Sequence, residues 1–230
     1  MERVHSDRIR YDRLVDPLIV DFRPVKPLWP VKIRLALWLV LELAIVILAV
    51  AAGTRTNLAW KLQNWEFLVG VTGLVAVGIM AAASAFRSAI PGEEEMRPGK
   101  LMLLLALAGA AFALMLHEPT HTAVSIHQFV VTGTRCAICV TLFAALPWLA
   151  LFWASRRAMP LMGATEGGLI GTAAFAFAFA ASRMGCPIDE FAHVLVWHAL
   201  PAAIGAAVSV VAGAIWLQGL KQVPTANTDG

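Results

Sequence analysis

Charge is scarce in this sequence. Of 230 residues only 14% are Asp, Glu, Lys or Arg, whereas 59% are apolar, a balance that excludes a soluble domain with an ordinary polar surface. The mean hydropathy of +0.73 points to lipid as the solvent. An apolar export signal is missing too: residues 1–30 carry Arg3, Asp7, Arg8, Arg10, Asp12, Arg13, Asp16 and Asp21 with no hydrophobic run before Val31, so the first span is expected to be a retained anchor. The usual catalytic signatures are also lacking. There is no His-Glu-x-x-His, no second Cys-x-x-Cys to pair with Cys136-Ala137-Ile138-Cys139, no glycine-rich phosphate loop and no Ser-His-Asp pattern in a suitable context. The chain is therefore read as a non-enzyme. Its pI near 9.0 would suggest nucleic acid in a soluble protein, but basic residues in a membrane protein mainly set topology, and no direct nucleic-acid binding is expected.

What is present is a series of apolar runs, each long enough as a helix to cross about 30 Å of hydrocarbon. They predict an all-α integral membrane protein of six spans: Leu35–Ala52, Phe67–Phe86, Leu101–Leu116, Phe129–Trp153, Gly163–Ser182 and Val194–Leu217. Residues 1–34 form a cytoplasmic segment, 35–217 the membrane domain and 218–230 a cytoplasmic tail. With both termini inside, 14 of the 18 lysines and arginines face the cytoplasm and only Arg55, Lys61, Arg135 and Arg183 lie at the outer ends. Small residues such as Gly163, Gly167, Gly168 and Gly171 would let helix backbones approach closely.

Ahead of the first span, Asp16-Pro17 reads as a helix N-cap and first position, and Leu14, Val15, Leu18, Ile19 and Phe22 fall near one face of a short amphipathic helix. Such a stub either lies on lipid headgroups or docks into the groove of a cytosolic partner. The acids Asp7, Asp12, Asp16 and Asp21 interleaved with arginines tip the reading toward a partner.

The reactive side chains cluster on one side of this topology. His117, His121 and His127 lie in the second outer loop, Cys136 and Cys139 just inside the fourth span, Cys186 in a Gly185-Cys186-Pro187 turn, and His193 and His198 at the start of the sixth span. In a bacterium that side is the oxidising periplasm. Cys186 is expected to meet Cys136 or Cys139, and spacing does not choose between them. The competing reading is a soft metal bound by Cys186 with His193, His198 or His117. A five-residue separation on an α-helix puts His193 and His198 about 140° apart, which argues against one ion holding both. No resident cofactor is expected, only transient capture of a thiophilic ion, with Cys139, His193, His198, His117 and His121 as accessory sensors or ligands. The simplest alternative treats the cysteines as packing residues, the histidines as headgroup contacts and Trp197 as an interfacial anchor. Glu42, deep in the first span, is a functional suspect as a buried acid, though one acid makes a thin case for a transporter.

The chain resembles the NrsF family of bacterial membrane anti-sigma factors, negative regulators of sigma factor F. The resemblance rests on Leu14-Val15-Asp16-Pro17 through Arg23-Pro24-Val25-Lys26-Pro27, on Ala89-Ile90-Pro91-Gly92, on Arg135-Cys136, and on Gly185-Cys186-Pro187 followed by Trp197-His198. It implies an inner-membrane protein that holds an extracytoplasmic-function sigma factor inactive on the cytoplasmic side and releases it under heavy-metal or oxidative stress. It also implies two sensor thiols, which map by position onto Cys136 and Cys186, with the stub at Leu14, Val15, Leu18, Ile19 and Phe22 contacting the sigma factor. The reading from a different class is a membrane thiol-disulfide oxidoreductase passing electrons from Cys136, Cys139 and Cys186 to quinone. Three thiols leave one of the two pairs such enzymes use incomplete.

Overall fold

The computed structural model describes residues 28–88, 125–158 and 162–217. The stub residues Leu14, Val15, Leu18, Ile19 and Phe22, the expected span Leu101–Leu116, His117 and His121, and the tail 218–230 lie outside the described residues.

Among the described residues every regular element is helical. Helix α1 covers Val31–Ala52, the short α2 Leu58–Lys61, α3 Trp65–Ser88, α4 Ile126–Arg156 and α5 Gly163–Gly185. Then come α6 at Phe191–Val194, a π turn at Leu195–Ala199 and α7 at Leu200–Trp216. Five stretches are long and apolar enough to cross a membrane: Val31–Ala51, Trp65–Ser88, Ile126–Arg156, Gly163–Gly185 and Phe191–Trp216. This is a helical membrane protein. Large apolar side chains such as Leu37, Val40, Leu43, Ile47 and Leu48 stand exposed along α1, a face that suits lipid rather than water. The first helix starts at Val31 and not at Leu35, because Pro30 precedes it at the N-cap and Lys32 and Arg34, on long aliphatic stems, tolerate the first turn of an apolar helix.

Helix α5 is the hub. In its apolar window 72% of residues are buried, against 17–33% in the other four, and it packs on α1, α3, α4 and α7. Glycine makes the closest of these contacts possible. A Cβ on Gly213 of α7 would run into the Gly163 carbonyl and lie 2.7 Å from the Gly167 Cα, and one on Gly167 would lie 2.9 Å from the Gly213 Cα. The two backbones touch, as small residues allow in membrane helix pairs. Ser209 of α7 binds across the seam, donating to the Gly167 carbonyl at 2.6 Å and accepting from Trp148 Nε1 of α4 at 2.7 Å.

The core on the other flank is aromatic and alanine-rich: Trp38 of α1, Ala81, Ala82, Ala85 and Phe86 of α3, Leu151 of α4 and Ile170 and Phe177 of α5. Trp38 meets Phe177 edge-on at 5.5 Å and donates through Nε1 to the Pro147 carbonyl at 3.1 Å. Glu42 is buried in mid-helix, and its Oε1 has no hydrogen-bond partner among the described residues.

The bundle has two chemically distinct ends. One gathers the start of α1, the end of α3 and the start of α5: Arg34 donates to the Phe86 carbonyl at 3.3 Å and lies over the Phe86 ring, and Ser88 donates to the buried Glu166 carboxylate. The other gathers the end of α1, the start of α4 and the 186–190 turn after α5, and it holds all three cysteines.

Candidate functional site

Cys186 caps α5. Its backbone N–H bonds the Ser182 carbonyl at 2.9 Å, and the turn to Pro187 aims its sulfur back toward α4. There the Cys136 thiol donates to it across 3.6 Å. The two residues are 50 apart in sequence, so the pairing is made by the packing of α4 on α5. Cys139 lies one turn further along α4 and is exposed. His193 Nε2 sits 3.5 Å from the Cys186 sulfur, and the Ile188 carbonyl accepts from it at 3.8 Å. The hydrogen bond from Cys136, and then the one shared with His193, hold the Cys186 thiol well below the ordinary thiol range, against burial, which pushes it up.

His193 and His198 face each other, with ring centroids 5.5 Å apart. The expectation that a five-residue spacing would turn them apart was an α-helical one, and the backbone here is not α-helical. Between them runs the π turn Leu195–Ala199, closed by the Leu200 N–H bonding the Leu195 carbonyl five residues back. A π turn brings residues five apart onto nearly the same face. Its physical cause is legible in Pro201, whose ring clashes with the carbonyl four residues earlier, that of Trp197, and which offers no N–H to it. The widened turn relieves that clash.

Trp197 is not a free interfacial anchor either. Its indole lies against Gly133 of α4, where any Cβ would overlap the ring, and it meets Phe129 at a tilt with ring centroids 5.8 Å apart. Phe129 also meets His193 edge-on at 6.1 Å. Trp197 thus fixes the π-turn segment against α4, one turn from Cys136.

Behind the histidines stands Ser182 of α5. Its hydroxyl donates to the Phe179 carbonyl at 2.8 Å and lies 2.7 Å from His198 Nδ1. His198 is fully buried, and its Nε2 has no hydrogen-bond partner among the described residues. A buried orphan nitrogen costs about 1–3 kcal/mol. His127, by contrast, is exposed near the start of α4, away from this cluster.

The turn that carries Cys186 is held by charge. Asp189 binds Arg55 bidentately, Nη1 to Oδ1 at 2.9 Å and Nη2 to Oδ2 at 2.5 Å, Lys61 at 2.8 Å and Arg183 at 3.1 Å. Arg55 also donates to Asn57 at 2.6 Å and to the Pro187 carbonyl at 3.3 Å, and its side chain is fully buried. The Arg55 and Arg183 guanidinium groups both lie over the ring of Phe67. Burial alone would raise the Asp189 carboxyl, but the hydrogen bonds from Arg55 and Lys61 and the charge of Arg183 hold it well below the usual carboxylate range. Sequence reasoning marked Arg55, Lys61 and Arg183 as the few basic residues at the outer ends and missed the acid on which they converge.

A cavity of about 310 Å³ opens onto this cluster, lined among others by Arg135, Cys136, Cys186 and His198. A family model described as negative regulator of sigma F, NrsF, matches residues 18–218. The chain belongs to the NrsF family. The match takes in all of the cysteines, both clustered histidines and the Arg55–Asp189 network of this NrsF protein, and its family description makes a sigma factor the partner and regulation the task. No curated protein and no solved structure matches the chain.

Proposed function

We propose that this NrsF protein is an anti-sigma factor that holds an extracytoplasmic-function sigma factor inactive at the bacterial inner membrane and releases it when the Cys136–Cys186 centre is chemically altered. The observation that carries the reading is the 3.6 Å approach of two thiols from segments 50 residues apart, in a setting where one of them is held toward the thiolate by its neighbours.

In this reading the chain has six spans, the third at Leu101–Leu116, with both termini cytoplasmic. The basic residues support that orientation, which puts the thiol end in the periplasm and the Arg34–Ser88–Glu166 end inside. Hypochlorite is a sufficient oxidant. Two thiols and one hypochlorite ion give a disulfide, chloride and water, the sulfurs losing two electrons and two protons. A thiophilic metal ion acts on the same pair by coordination.

Helix α5 supports transmission between the ends. Cys186 caps one end and Glu166 lies in the first turn at the other, about 30 Å away at 1.5 Å per residue. Its backbone contact with α7 lets the two move together. Moving the sigma equilibrium from 1:99 to 99:1 takes about 5.5 kcal/mol of differential stabilisation, a scale that a covalent bond or a filled metal site supplies and a single hydrogen bond does not. The stub residues Leu14, Val15, Leu18, Ile19 and Phe22 are the proposed sigma-contacting surface.

The test is a sigma-dependent reporter under hypochlorite or cadmium stress. Cys136→Ser and Cys186→Ser are expected to abolish the response, and an unchanged response in both would refute the thiol centre. Deleting residues 2–28 is expected to free the sigma factor, and normal sigma retention by that truncation would refute the stub as its contact.

A further inference from the structure

The thiol centre holds four donors of soft-metal type. Sγ of Cys136, Sγ of Cys186 and a ring nitrogen from each of His193 and His198 all lie within 4.8 Å of one another. They are delivered by three separate pieces of chain: α4, the turn after α5, and the α6 to π-turn segment.

Proximity alone would not distinguish a ligand set from a hydrogen-bonded cluster. The way His198 is hydrogen-bonded does. The Ser182 hydroxyl, bonded to the Phe179 carbonyl, engages His198 through Nδ1 at 2.7 Å. His198 is thereby held through Nδ1, and Nε2 is the ring nitrogen left over. That nitrogen is fully buried, has no hydrogen-bond partner among the described residues, and belongs to a ring within the cluster. An imidazole whose far nitrogen is fixed by a hydrogen bond, leaving the near one bare, is the arrangement that metal sites impose on their histidines.

Geometry and charge point the same way. Tetrahedral bonds of about 2.0–2.3 Å put neighbouring donors roughly 3.3–3.8 Å apart. The Cys136–Cys186 separation of 3.6 Å and the Cys186–His193 separation of 3.5 Å already meet that spacing, and the remaining pairs, all within 4.8 Å, need to close by about 1.5 Å at most. Two thiolates and two neutral imidazoles around a divalent ion make a site of zero net charge. Such a site is the form that suits a cluster in which His193, His198 and Cys186 are all buried.

We propose that Cys136, Cys186, His193 and His198 form a four-coordinate site for one thiophilic divalent cation of the zinc and cadmium class, with Ser182 as the positioning residue for His198. Binding involves no electron transfer: the ion exchanges water ligands for two sulfurs and two nitrogens, and each sulfur still protonated releases its proton to solvent. The cavity beside Cys136 and His198 is the route of entry. Filling the site ties α4 to the sixth-span segment and withdraws both sulfurs from disulfide formation, so metal loading and oxidation exclude each other. The proposal deepens the thiol-centre reading and rests on it for this regulatory consequence.

The experiment uses the full chain, reduced and purified in detergent micelles, titrated with Co²⁺ as a spectroscopic probe and then with Zn²⁺ in competition. One Co²⁺ per chain is expected, with the intense visible absorption of a tetrahedral thiolate site and full displacement by Zn²⁺. His198→Gln is expected to weaken Co²⁺ binding at least 100-fold, and Ser182→Ala by about 10–100-fold with helicity unchanged by circular dichroism. His127→Gln, outside the cluster, keeps wild-type affinity. Absence of tetrahedral Co²⁺ binding in the wild-type chain overturns the proposal, as does equal affinity in His198→Gln and Ser182→Ala. The sigma reporter separates the two readings. If the wild-type chain binds no Co²⁺ yet answers hypochlorite through Cys136, the metal site falls and the thiol centre stands. If it binds Co²⁺ as predicted while the Cys136→Ser reporter responds normally, the site stands and its regulatory role falls.

Discussion

Replacing Asp189 by Asn tests the network that holds the Cys186 turn. The carboxylate sits within 3.1 Å of Arg55, Lys61 and Arg183, and the amide keeps its size while removing its charge. Arg55 is fully buried, so its guanidinium would be left as a buried cation with no other counter-ion among the described residues. Breaking a buried pair in this way costs about 3–5 kcal/mol. Asp189 keeps 18% side-chain exposure, which places the expected cost at the lower end, about 3 kcal/mol. That energy appears as opening of the 186–190 turn, whose equilibrium should rise by roughly 10²-fold at about 1.4 kcal/mol per decade. The assay is the rate of maleimide labelling at Cys186 in the folded protein, read by peptide mass spectrometry so that Cys136 and Cys139 are scored separately. A rise of roughly 100-fold is expected, with partial return in an Asp189→Asn, Arg55→Met double variant that removes the orphaned cation. A labelling rate within about threefold of wild type would show that the turn is held by something other than charge. The wild-type latch should also be indifferent to pH over the physiological range. The Asp189 pKa is lowered by folding, so its contribution is fully present above the ordinary carboxylate value of about 3.9 and is lost only as pH falls through the lower, folded value.

Three further outcomes follow from the same geometry. Alkylation of Cys186 by iodoacetamide should change less than about threefold between pH 8 and pH 6, where an ordinary thiol of pKa about 8.5 slows roughly 80-fold; an ordinary profile would show that its neighbours do not favour the thiolate. Gly133→Ala should cost about 1–3 kcal/mol in thermal or denaturant unfolding by driving a methyl into the Trp197 indole, and Trp197→Phe in the same background should restore part of it. Gly213→Val should cost at least about 3 kcal/mol, because backbone atoms of Gly163 and Gly167 occupy the space; a variant as stable as wild type would mean that α5 and α7 do not touch there.

The sequence carried the helices well and the site unevenly. Apolar runs located five of the expected spans to within a few residues, because hydrophobic length is a local property; the ends moved where Pro30 and the flexible stems of Lys32 and Arg34 let α1 begin earlier. Cys136 and Cys186 stood out by residue type and by shared depth. Their mutual distance did not, since it depends on how α4 crosses α5. Asp189 gave no signal at all. One of two adjacent acids after Pro187, it resembles any turn residue until the ends of α1 and α5 and the segment carrying Lys61 bring three cations to it. His193 and His198 were separated by applying an α-helical period to a stretch that does not obey it, although Pro201 stood in the sequence as the sign that the period would fail. Ser182, one small polar residue in an alanine-rich helix, becomes informative only once its two partners are known.

The π turn makes the imidazole pair depend on the number of residues as well as on their identity. Were Leu195–Ala199 to close as ordinary α-helix with all of its residues, the two rings would stand about 140° apart; deleting one residue between them, Val196 for example, would give that α-helix with the histidines four positions apart, about 40° from each other on one face. His193 would then stay beside His198 with no change in composition at the centre. Such a frame-preserving deletion straightens the backbone without altering the ingredients, and substitution scans, which vary one side chain at a time, never sample it.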